Sequence, residues 1–97
     1  MFGFSSHRIG TEDERRRMIF QVVVSGVRRS VDVYAYETIE AFIRKTLRES
    51  GNVSPWYSGW ELRTADGTLL SPWARAGEAG LADNALLFLA PRAGVGA

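Results

Sequence analysis

Residues 18–51, MIFQVVVSGVRRSVDVYAYETIEAFIRKTLRESG, decide the fold, because the spacing of their apolar side chains changes partway along. From Met18 to Val24 the residues are mostly β-branched or aromatic, and Ser25 and Gly26 then interrupt them, as in a strand followed by a turn. Gln21 sets the parity: Phe20, Val22 and Val24 face a core, and Ile19, Gln21 and Val23 lie on the other side. In RRSVDVYAY, Val31 and Val33 alternate with Ser30, Asp32 and Tyr34, which predicts a half-buried second strand close enough to close a hairpin. Beyond Glu37 the period lengthens from two to about 3.6. Ile39, Phe42, Ile43 and Leu47 collect on one face of an amphipathic helix, with Thr38 as its cap and Gly51 as the left-handed residue that ends it. Glu40, Arg44, Lys45, Arg48 and Glu49 form its solvated face, where Glu40 and Arg44 make an exposed pair.

Downstream, NVSPWYSG reads as a loop and WELRTADGTLL as a hairpin. Trp60 and Leu62 alternate with Glu61 and Arg63, Asp66-Gly67 makes the turn, and Leu69 and Leu70 begin a short return strand. The small residues and glycines of SPWARAGEAGLADNA predict a compact connection with a turn of helix. ALLFLA is the last strand, apolar on both faces as in the middle of a sheet. Parity alone leaves open whether Leu86 with Phe88 or Leu87 with Leu89 points outward. Residues 1–16 mix glycine, serine and charge and read as a flexible arm, in which Phe2 and Phe4 stand out.

The composition excludes several functions. Ninety-seven residues with 45% hydrophobic content fit one domain with one core. A formal charge of +1 provides no field for nucleic acid or anionic lipid. No apolar run reaches the roughly 20 residues of a membrane span, and residues 1–16 lack the apolar stretch of a signal peptide, so a cytoplasmic location is expected. The chain contains no cysteine and a single histidine, His7, in the polar arm. A disulfide framework, a thiol nucleophile, a metal centre and a Ser/His/Asp triad are all poorly equipped, no nucleotide-binding glycine motif appears, and no cofactor is expected. These absences argue against an enzyme.

The order strand, strand, helix, strand, short strand, connection, strand closes one core if the final strand lies parallel to the first. This is an α+β, ubiquitin-like β-grasp: a mixed four- to five-stranded sheet with one helix packed across it, spanning residues 17–90, with a flexible tail at 91–97. The chain from about Met18 onward resembles the single-domain ubiquitin-like proteins of bacteria, encoded in operons similar to eukaryotic ubiquitination pathways and associated with phage defence. The residues that carry the resemblance are WELRTADGTLL, the later GEAGLADNALLFL and above all the closing RAGVGA.

That resemblance implies a protein modifier whose carboxyl terminus is activated with ATP, passed to a cysteine of an activating enzyme and then joined to a target. Glycine suits such a tail because it has no Cβ to collide with a narrow channel. Gly96, Ala97 and Gly94 are the candidate conjugation terminus. Ubiquitin-like modifiers usually act through a terminal glycine, so either a JAB-type or other peptidase trims Ala97 to expose Gly96, or Ala97 itself is activated; Gly96 is preferred. Pro91, Arg92 and Val95 are candidates for tail recognition, with Pro91 ending the sheet by removing a donor and Arg92 pairing with acidic residues at the channel mouth. Lys45, the sole lysine, is the candidate acceptor for lysine-linked chains, against its reading as an ordinary solvated residue. The expected partners are activating-like and conjugating-like enzymes, a peptidase and a target protein.

A partner surface is expected on the sheet face opposite the helix, around Ile19 and Val23. The loop aromatics Trp56, Tyr57 and Trp73 either join an interface or plug the ends of the core. Together with Phe2 and Phe4 they make a homo-oligomer credible. Two other functions stay open: a non-conjugated β-grasp interaction or structural module, and a sulfur carrier whose terminal glycine becomes a thiocarboxylate.

Overall fold

The computed structural model describes residues 15–52 and 59–92. Strand β1 (Arg17–Val24) turns through Ser25 and Gly26 into β2 (Val27–Tyr34), and helix α1 (Ile39–Glu49) follows. Strand β3 (Trp60–Thr64), a 3-10 turn (Ala76–Glu78) and strand β4 (Leu86–Pro91) complete the order. The sheet has four strands in the order β2-β1-β4-β3. Strand β4 runs parallel to β1 and antiparallel to β3, and β2 is antiparallel to β1.

Local chemistry accounts for each junction. Ser25 and Gly26 have φ of 54° and 77°, the two left-handed residues of the tight hairpin turn whose twist matches the flanking strands. The Thr38 side chain accepts from the Ala41 amide at 3.2 Å, as a cap should. At the other end Gly51, at φ 79°, lets the Asn52 amide reach the Leu47 carbonyl at 2.9 Å and its own amide reach Arg48 at 3.2 Å. Both bonds satisfy carbonyls that the helix cannot pair internally.

Phe20, Val22, Val24, Val31, Val33, Ile39, Phe42, Ile43 and Leu47 are buried, so both the period-two and the period-3.6 assignments hold. The rings of Phe20 and Phe42 meet edge to face with centroids 5.5 Å apart, joining sheet to helix at the centre of the core. Arg29 lies on the inward side of β2, where its stem crosses toward the helix and its guanidinium donates to the Glu49 carbonyl at 3.2 Å.

The return strand at Leu69 and Leu70 does not form. Leu70 donates to the Leu62 carbonyl at 2.9 Å and Leu69 makes only an isolated bridge with Arg63. The chain is diverted because its next carbonyls are needed elsewhere: Pro72 accepts from the Glu40 amide at 3.0 Å and Ala74 from Ile39 at 2.9 Å. Those amides belong to the first turn of α1 and have no partner within the helix. The connection therefore caps α1 instead of extending the sheet. Its 3-10 turn then packs on the segment after β2, where Ala76 donates to Glu37 at 2.8 Å and Gly77 to Ala35 at 2.9 Å.

Candidate interaction surface and carboxyl-terminal exit

Pairing across the sheet settles which side chains share its outer face. Phe88 stands beside Val23 of β1 and Arg63 of β3, and Val23 stands opposite Arg28 of β2. The result is one row, Arg28, Val23, Phe88, Arg63, with an apolar centre and a guanidinium at each end. Phe88 is 41% exposed whereas Leu87 and Leu89 are buried, so Leu86 and Phe88 are the outward pair. Leu86 pairs with Gln21 in the next row, which adds a half-buried aliphatic group to the patch.

Ile19 is separated from this patch. Between Ile19 and Val23 lies Gln21, whose amide donates to the Ser30 hydroxyl at 2.9 Å and accepts from it at 3.2 Å. Ile19 is exposed, faces Asp32 across the hairpin, and its amide donates to the Asp83 carboxylate at 2.9 Å. The expected single patch around Ile19 and Val23 is thus two: an apolar row at Val23 and Phe88, and a lone isoleucine in polar surroundings. Sequence alone cannot choose Leu86 with Phe88 over Leu87 with Leu89 because β4 is apolar on both faces.

Trp73 lies elsewhere. It is 75% exposed and stands between Pro72 and Ala74, the residues that cap α1, so it neither plugs the core nor joins the outer sheet face. Trp60 packs against the core instead. Tyr34 and Tyr36, not singled out from the sequence, are both exposed and stack with centroids 5.5 Å apart. Phe2, Phe4, His7, Trp56 and Tyr57 fall outside the described residues, as do the candidate terminus Gly94, Gly96 and Ala97 and the tail residue Val95.

The sheet continues to the last described residues. Pro91 does not end it: Pro91 is part of β4 and pairs with Trp60, and the Arg92 amide donates to the Gly59 carbonyl at 2.7 Å. Proline is tolerated there because the next residue supplies the bond to β3. The Arg92 guanidinium approaches Glu61 at 3.9 Å, and Glu61 also pairs with Arg63 at 3.1 Å. A cleft of ≈ 120 Å³, lined by Ile43, Trp60, Leu62, Leu69 and Pro72, opens beside Arg92 where the chain leaves the sheet.

Lys45 is not an ordinary solvated helix residue. Its Nζ donates to the Asp32 carbonyl at 2.8 Å and to Asp32 Oδ1 at 2.9 Å, while Arg17 Nε donates to Oδ2 at 3.0 Å. The Lys45 hydrogen bond, aided by the charges of Lys45 and Arg17, holds the Asp32 carboxyl below the usual carboxylate range against the opposing effect of desolvation. Asp66, at the turn after β3, is lowered as well, by hydrogen bonds from the Thr64 hydroxyl and from Thr68. Among the described residues no three acidic or histidine side chains converge on a metal position, and no helix is long and apolar enough to cross a membrane.

A mixed sheet in the order β2-β1-β4-β3 with one helix across it defines the ubiquitin-like class. Solved structures agree. The ubiquitin-like domain of Arabidopsis thaliana protein At2g32350 is similar with a TM-score of 0.65 at 16% identity, covering 80% of each chain. A designed protein based on ubiquitin has a TM-score of 0.66 at 21% identity, covering 84% of this chain and 95% of its own. ATBAG1, solved in complex with HSP70, scores 0.66 at 10% identity over 78% of this chain and 41% of that one. At these identities the likeness shows the fold alone. The chain belongs to DUF2604, a family described as protein of unknown function, whose match spans residues 14–97. No curated protein matches the chain.

Proposed function

We propose that this protein is a ubiquitin-like modifier, activated at its carboxyl terminus and joined to a target by activating-like and conjugating-like enzymes. The observation that carries the reading is the exit of the chain. Residue 92 leaves from the end of β4, a central strand held on both sides, and the sequence continues as AGVGA with no charge and no side chain larger than valine. A folded body whose chain leaves the sheet end into a sequence of small, uncharged residues suits an enzyme that must grip the body and thread the terminus. A JAB-type or other peptidase would trim Ala97 if Gly96 is the acylating residue. Placement in a bacterial ubiquitination-like operon with a role in phage defence rests on the sequence resemblance alone.

Incubation with ATP, the activating enzyme and the cognate target, followed by intact mass, tests this proposal. The expected product is an amide joining residue 96 or 97 to a target amine, absent when residues 93–97 are deleted. Recovery of unmodified chain only, or full cellular function of the deletion variant, would overturn it. A second reading, a non-conjugated interaction module, is favoured by the row of half-buried Val23 and exposed Phe88 between two arginines. For that module the deletion variant would bind its partner unchanged, and Phe88→Thr would not.

A further inference from the structure

Of the twelve basic residues eleven are arginine, and Lys45 is the only lysine. The two side chains differ in reactivity: a guanidinium stays protonated in proteins, whereas an ε-amine can lose its proton and attack an acyl carbon. Lys45 is the only side-chain amine in the molecule, and it is tied down twice, to the carbonyl and to the carboxylate of Asp32, with 27% of its side chain exposed.

Strand geometry explains why the tie exists. The register of β1 with β2, continued by the Ala35 amide donating to Arg16 at 2.7 Å, makes Val27, Arg29, Val31 and Val33 the residues hydrogen-bonded to β1. The backbone groups of Asp32 therefore point away from β1, toward the outer edge of β2, beside which no further strand lies among the described residues. Lys45 reaches over from α1 and supplies the donor that a neighbouring strand would provide. Arg17 meanwhile pairs with the other carboxylate oxygen, the one Lys45 does not use.

We propose that Asp32 holds Lys45 out of acyl-transfer chemistry, so that the described surface of the domain offers no reactive ε-amine to an activated carboxyl group. To react, the ammonium must give a proton to solvent and swing clear of Asp32 so that the freed lone pair is open to an acyl carbon. Only then does the nitrogen attack the acyl carbon, forming the N–C bond as the acyl–oxygen or acyl–sulfur bond breaks and the leaving group takes the electron pair, while the nitrogen gives its second proton to the leaving group or to solvent to leave the neutral amide. The biological consequence rests on the modifier reading: a chain whose own carboxyl is activated gains by not presenting lysines to it, and copies would be attached singly instead of through Lys45.

The test is independent of any conjugating enzyme. The full chain is treated with an N-hydroxysuccinimidyl acetate at pH 8, quenched over time, and the acetylation rate of Lys45 is read by peptide mass spectrometry. Native protein is expected to react about fivefold more slowly at Lys45 than the same chain in urea, the scale of a partly exposed ion pair. Asp32→Ala is expected to recover most of that difference, and Arg17→Ala to retain the slow rate. Equal rates in native buffer and in urea would overturn the proposal even if Asp32→Ala failed to fold. An unchanged slow rate in folded Asp32→Ala, or an Arg17→Ala variant as reactive as Asp32→Ala, would also overturn it. Failure to conjugate any target, with Lys45 still protected, would count against the modifier reading alone.

Discussion

Leu87 and Phe88 are neighbours in sequence and lie on opposite faces of β4, so truncating each in turn tests the surface on which partner binding would depend. Leu87 is fully buried, and its replacement by alanine leaves a cavity between the sheet and α1. Such changes cost about 2 to 5 kcal/mol, a large part of the roughly 5 to 15 kcal/mol that holds a domain folded. Phe88 is 41% exposed and contacts its row across the strands. Phe88→Thr keeps a β-branched residue in the strand and loses only cross-strand contacts, a cost of about 1 kcal/mol or less. In urea unfolding followed by circular dichroism, with a slope of about 1 to 3 kcal/mol per molar, Leu87→Ala should lower the midpoint by about 1 M or more. Phe88→Thr should move it by a fraction of that. Equal destabilisation by the two substitutions would refute the assignment of Phe88 to the outer face, and with it the apolar row.

Gly77→Ala should destabilise by about 1 to 3 kcal/mol, because a Cβ at that position meets the Ala35 Cβ at 2.8 Å and the Ala35 carbonyl at 3.2 Å; thermal unfolding measures it, and an unchanged melting temperature would contradict the close approach. Thr38→Ala should cost about 1 kcal/mol and speed exchange of the Ala41 amide proton, read by hydrogen exchange and urea unfolding. The lowered Asp32 carboxyl contributes stability at pH values above its unfolded pKa of about 3.9, and that contribution is lost as pH falls through the still lower folded value. Asp32→Asn should therefore flatten the acid side of a stability profile taken between about pH 5 and 2 by urea midpoints, and a slope equal to that of the wild type would contradict the pairing.

Much of this architecture is legible in the chain because its signals are local. Period two in MIFQVVV, the Ser25-Gly26 turn and period 3.6 from Ile39 to Leu47 each depend on residues a few positions apart, and all appear in the structure. So do the Thr38 cap and the left-handed Gly51, since capping is chemistry between near neighbours. The candidate site was less legible. A strand apolar on both faces carries no parity of its own, so Phe88 became an exposed residue only once β4 was registered against Val23 and Arg63. Leu69 and Leu70 look like a strand until α1 claims the carbonyls of Pro72 and Ala74, residues more than thirty positions from the amides they serve. Lys45 reads as one more charge on a solvated helix face until the hairpin edge brings Asp32 beneath it.

Sequence by itself therefore determined the first hairpin, the helix, the strands at Trp60 and Leu86 and their order, because hydrophobic periodicity and capping act over one or two turns of chain. The tertiary structure alone decided which face of β4 meets solvent, where the connection after β3 goes, and which acceptors hold the one lysine. Those outcomes depend on backbone groups and side chains that meet only after strands pair and the helix docks, when an unpaired donor or acceptor takes the partner that packing has placed within reach.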